Sequence, residues 1–194
     1  MANFVGIASA LKSIERHLNS CFEEEQPISG RTTKAVLART TDFESSLLQS
    51  NIGSPALSIF LYRVDFNKTM RAAWSAVGSQ DGFGHLAVDL HLLLTAWGDN
   101  AEFEFRIIGK AMQCIETTPL LSGPMLDPSG NWAPNETVQL VLEDISTEAV
   151  MRTFDSLPTD YRLSIPYIAR IVRIDSRVPT PERPVTTLVT GIMS

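Results

Sequence analysis

Hydrophobic positions along this chain follow two different periods, and the changes of period mark where its elements begin and end. From Leu86 to Trp97 the run LAVDLHLLLTAW is apolar on both alternating faces. Such a run predicts a strand buried on both sides. Gly98 interrupts it. From Ala101 the apolar residues recur at Ala101, Phe105, Ile108, Ala111, Met112 and Ile115, the 3.6-residue repeat of a helix over 99–117. Asp99 with Glu102 three residues on has the spacing of a capping box. This strand, turn and helix form the unit on which the rest is expected to pack.

The flanking segments read in the same way. Phe4, Ile7, Ala8, Leu11, Ile14 and Leu18 share one face of a helix over 3–19, with Asn3 as its cap. Lys34–Arg39 suits a short strand, and Thr41–Gly53 a turn of helix around Phe43 and Leu47. In Leu57–Phe66 (LSIFLYRVDF) Leu57, Ile59 and Leu61 point one way and Phe60, Tyr62, Val64 and Phe66 the other, so both faces are apolar and the run predicts an interior strand antiparallel to the Leu86 strand. The loop between them carries Arg71, Trp74 and Gly78–Gly84. Residues 120–135 read as a loop anchored by Trp132. Val138, Leu140 and Leu142 then point inward from a half-buried strand over 137–143. Ser146 caps a helix over 146–157 that buries Val150, Met151, Phe154 and Leu157. The last long strand spans 161–175, and Pro166 within it suggests an edge or a bulge. The expected architecture is therefore α+β: a mainly antiparallel or mixed sheet of four to five strands covered by three amphipathic helices. Residues 1–176 form the domain, and 177–194 a proline-rich arm.

Composition narrows the function. A net charge of -6 without any basic stripe argues against nucleic acid as the main partner. No apolar run approaches the roughly 20 residues that span a bilayer, and the N-terminus lacks a signal-peptide layout. The chain is expected to be made in the cytoplasm, with Cys21 and Cys114 as two reduced thiols, Cys114 filling space as a small apolar residue. His17 is expected on the wet side of its helix.

Candidate chemistry is sparse. His85, Asp89 and His91 alternate onto one face of the Leu86 strand, so two imidazoles and a carboxylate point one way. That set suits a metal-dependent enzyme, and equally a strand entering the core with a few hydrogen-bonded polar residues. There is no nucleophile elbow, no Cys-x-x-Cys and no phosphate-cradling loop, so no catalytic residue and no cofactor are assigned. Arg162, Arg170, Arg173 and Arg177 recur on the last strand, as charges guarding an edge or as a strip meeting acidic partner surfaces. After Pro179, Pro181 and Pro184, the run Val185–Thr190 either folds back as an edge strand or pairs, through Val185, Thr187 and Val189, with a neighbour's sheet.

Four blocks in order, SPALSIFLYRVDFNKTMR, LAVDLHLLLTAWG, EFRIIGKAMQCIETTPLLSG and VQLVLEDISTEAVMRTFDSLPTDYRLSIPYIARIVRID, resemble one bacterial family. It is that of the tail-terminator, or cap, proteins of extracellular contractile injection systems of the Photorhabdus virulence cassette and antifeeding prophage type, similar to phage tail terminators. The resemblance implies a structural protein and not an enzyme. It implies a homo-oligomeric ring, sixfold, on the baseplate-distal end of the inner tube, with the inner-tube and sheath proteins as partners and no nucleic acid or membrane. It also implies cytoplasmic assembly into a phage-tail-like particle. A monomeric adaptor module is the alternative.

Overall fold

The computed structural model describes residues 4–70 and 83–176. They form one mixed sheet of six strands in the order β1-β2-β3-β6-β5-β4, against the four to five expected. The strands are β1 (Lys34–Ala38), β2 (Ala56–Phe66), β3 (His85–Trp97), β4 (Leu120–Ser122), β5 (Thr137–Leu142) and β6 (Ser164–Asp175). The helices are α1 (Gly6–Glu24), α2 (Ser45–Asn51), α3 (Ala101–Thr117) and α4 (Thr147–Asp155). Only β1 and β2 pair in parallel; all other pairs are antiparallel. The reading of β3 as the central strand, with β2 as its antiparallel partner, is correct. Asn3, Arg71, Trp74 and the arm with Arg177, Val185, Thr187 and Val189 lie outside the described residues.

One sheet face packs against α1 and α3. Leu57, Ile59, Leu90, Leu92, Leu94, Tyr167, Ala169, Val138 and Leu140 meet Ile14, Leu18, Phe22, Ile107, Ala111 and Ile115 there in a closed core. Among the described residues the other face is covered at one end, where Phe43, Leu93, Trp97, Val150, Phe154 and Leu157 form a second, smaller cluster beneath α2 and α4.

The helical faces are rotated from the expected ones. In α1 the small residues Ser9, Ala10 and Ser13 are buried, while Phe4 is exposed. The reason is a close approach by the 123–132 segment. Ser9 Oγ donates to the Asp127 carbonyl at 2.8 Å and Ser13 Oγ accepts from Asp127 N–H at 2.7 Å. Trp132 Nε1 donates to Ser9 Oγ at 3.1 Å and to Asp127 O at 2.9 Å, so Trp132 is the anchor it was expected to be. Gly130 sits so near that a Cβ there would lie 2.5 Å from Ser9 Oγ. In α3 Ile107 and Cys114 are buried and Phe105 is exposed. Asn100, not Asp99, caps α3, accepting from Phe103 N–H at 2.9 Å. Asp99 turns to Arg31 and Ser54 instead, and the Arg31 guanidinium holds its carboxyl below the usual range.

Three further expectations are corrected. Cys21 and Cys114 are joined in a disulfide that ties α1 to α3; their Cα atoms lie 6.2 Å apart, a distance only chain folding could bring about. His17 is half-buried against the Cys114 carbonyl at 3.3 Å. The segment after α3 is not all loop, since Leu120–Ser122 adds β4 beside β5.

Candidate interaction surface

Pro166 does not put β6 at an edge, for β6 lies between β3 and β5. The Pro166 carbonyl accepts from Glu143 N–H at 3.0 Å, and β5 ends at Leu142. A residue's N–H and C=O point to the same side of an extended strand. The missing N–H of Pro166 therefore falls at the last rung beside β5, where it omits only the return bond to the Glu143 carbonyl, and β5 ends there. Being interior, β6 needs no arginines to guard an edge.

Two bulges shape the half of the second face away from the Phe43 cluster. The β2–β3 register shifts between Leu61 and Arg63, leaving Tyr62 as the extra residue. The β3–β6 register shifts between Val88 and Leu90. A bulge turns two successive side chains toward one face and reverses the alternation beyond it. Tyr62 and Arg63 thus lie together, while Val64 and Phe66 swing to the helix-covered side, where they remain about two-fifths exposed, at 44% and 43%.

The residues so gathered form a network of charge and hydrogen bonds. Glu143 Oε1 is 2.8 Å from Nδ1 of the buried His91 and 3.3 Å from Arg63 Nη2. Its Oε2 accepts from the Tyr62 hydroxyl at 2.8 Å. Burial, and then this bond to Glu143, push the Tyr62 hydroxyl's pKa up. Asp65 lies 3.1 Å from Arg63 Nε and 3.3 Å from His91 Nε2.

The metal reading fails here. His85 Nδ1 is 2.6 Å from Asp175, Asp89 accepts from Asn67, and His91 faces Glu143. His85 and His91 do share a face, but six steps along the strand separate them by about 20 Å. Among the described residues no group of three or more His, Cys, Asp and Glu side chains could hold a metal ion.

The arginines of the last strand are placed individually. Arg162 precedes β6; it donates to Glu104 at 3.1 Å and lies over the Trp97 ring. Arg173 is 2.9 Å from Asp175 and 3.2 Å from Glu136. Arg170 is exposed and meets the neutral Gln139 amide at 3.4 Å. Arg162 and Arg173 are thus engaged with carboxylates of the fold, whereas Arg170, exposed, meets a neutral amide. It lines a cleft of about 620 Å3 with Leu120, Trp132, Thr137, Gln139 and Arg173. No sequence signal showed this cleft, because Leu120 reaches it only through the unread β4.

The two sheet edges differ. On β1, Ala35 N–H donates to Asn19 Oδ1 at 2.9 Å and Ala35 O accepts from Asn19 Nδ2 at 2.8 Å. Leu37 N–H donates to Glu15 Oε1 at 3.0 Å. Side chains of α1 therefore occupy the outer main-chain groups of β1. On β4, Leu140 N–H donates to the Pro119 carbonyl at 2.8 Å, so residues 119 and 121 face β5 while Leu120 and Ser122 turn their main chain outward.

A family model described as the Pvc16 N-terminal domain matches residues 12–187. Among solved structures, the sheath/tube terminator, in its extended state, of the PVC extracellular contractile injection system superposes with TM-score 0.55 and 18% identity, over 99% of this chain and 65% of that one. The tube-terminating cap of the anti-feeding prophage superposes with TM-score 0.51 and 18% identity, over 95% of this chain and 59% of that one. This chain thus spans less than two thirds of the length of either. At such identity the likeness is one of fold. Comparison with curated proteins gives no match.

Proposed function

We propose, on the premise that this chain belongs to the Pvc16 N-terminal domain family, that it is a structural cap of a phage-tail-like contractile injection system. The observation that carries the reading is the family match across residues 12–187. In this role copies form a ring, sixfold, on the baseplate-distal end of the inner tube, end its growth and tie the sheath to it. Partners are the chain itself, the inner-tube protein and the sheath protein. The chain acts by shape and contact and not by catalysis; it is made in the cytoplasm and built into the particle. A two-layer core with one sheet face that the described residues cover incompletely suits a subunit whose remaining surface is completed by neighbours. Among the described residues no helix is long and apolar enough to cross a membrane.

The test is made in cells producing the particle without this chain. Tube lengths measured by electron microscopy should broaden from one value to a wide distribution, and sheaths should detach or contract. Particles of normal, uniform length would overturn the reading. Native mass spectrometry of the purified chain, alone and with tube protein, measures the ring number.

A further inference from the structure

We infer that the outer edge of β4 is the acceptor for an added strand, and that the strand is residues 185–190 of a second copy. The inference rests on the ring reading above and names the contact that closes the ring. A sheet accepts a strand only where main-chain groups are open. The β1 edge is occupied by Asn19 and Glu15. Among the described residues no strand pairs with the outer edge of β4, which presents Leu120 and Ser122, with the Leu120 side chain 50% exposed and the cleft beside Arg170 lying along it.

The occupant follows from composition and reach. Val185–Thr190 (VTTLVT) is β-branched at every position but Leu188, and its length suits a short edge. From β6 the slot beyond β4 is three strand spacings away, about 14 Å. Nine residues, 176–184, can reach at most about 30 Å, more than the ~16 Å radius of gyration of a chain of this size. That reach is enough to bring the strand to a neighbouring copy, and the cross-link below separates this from a return to its own edge. Donor tail and acceptor edge are different surfaces, so the contact is heterologous and closes into a ring when the rotation allows.

The test mixes full-length copies carrying Leu120→Cys with copies carrying Val185→Cys, Thr187→Cys or Val189→Cys, under mild oxidation. A disulfide-linked dimer that appears in at least one mixture, and in neither partner alone, is the expected result. Rings that form without any such cross-link overturn the inference and leave the cap reading standing. A wild-type chain that never forms rings, in particles of normal tube length, sinks both. Leu120→Pro is the second arm. Its lost N–H points away from β5, so the melting temperature should stay unchanged while the ring is lost; rings that persist count against the β4 edge. If this variant does not fold, the cross-link decides.

Discussion

At the scale of single residues, short polar side chains fix the turns that join the elements. Asp42 is mostly buried and accepts from the Arg39 N–H at 2.9 Å and from Asn51 Nδ2 at 2.8 Å, joining the Thr40–Phe43 turn to α2. The Arg39 N–H is the main reason its carboxyl is held below the usual range, with the Asn51 amide adding to it. A carboxyl depressed in the folded state stabilises above its unfolded pKa, and that contribution fades as pH falls through the folded value. Asp42→Asn should therefore cost roughly 1 kcal/mol at pH 7. The gap from wild type should narrow as pH drops below about 4. Urea midpoints measured from pH 7 to pH 2.5 check both statements, and a gap that widens in acid would reverse the sign.

At the scale of elements, periodicity was a good guide wherever an element buries one stripe. The positions of β2, β3, β5, α3 and α4 were all legible, as was the Ser146 cap, which accepts from Ala149 N–H at 3.2 Å. Misreadings arose where a tertiary contact competes with the pattern. Tyr62 is a bulge, so alternation counted through it assigned Val64 and Phe66 to the wrong face. Serines in α1 look polar and exposed, yet Ser9 and Ser13 are buried because the Asp127 main chain bonds to them. Leu142 and Met151 look inward-facing and are each 49% exposed, for β5 is at its end and α4 covers the sheet by a narrow stripe. His85, Asp89 and His91 share a face as read, but sharing a strand face says nothing of distance along it.

The disulfide could not be read because its partners are 93 residues apart. Closing so long a loop restricts the unfolded chain strongly, and it ties two helices that lie on the same core. Reduction, or Cys21→Ala with Cys114→Ala, should cost about 2–4 kcal/mol without altering the fold. Thermal melts with and without reductant give the measurement. The alanine pair should no longer respond to reductant, and a wild type equally indifferent would mean that the bridge contributes nothing.

At the scale of the whole molecule, the two edges of the sheet determine what an added strand can do. Asn19 and Glu15 on α1 fill the main-chain groups of β1, so uncontrolled strand addition has no start on that side. Among the described residues β4 is the edge left for an added strand, so growth by strand exchange would run in one direction, one copy per edge. Removing the donor while keeping the acceptor separates assembly from folding. A chain ending at Ser176 retains the six strands, both apolar clusters and the disulfide, so its melting temperature should match that of the full chain. Its rings should be lost, and particles built with it should show the broad tube lengths expected when the cap is missing. Supplying a peptide of residues 179–194 in excess should fill the β4 edge of the shortened chain and shift backbone amide exchange at Leu120 and Ser122 toward protection. It should not restore the ring, because a free strand links no two copies. Rings restored by the loose peptide would mean that the tail acts on its own subunit's shape and not as a tether between copies.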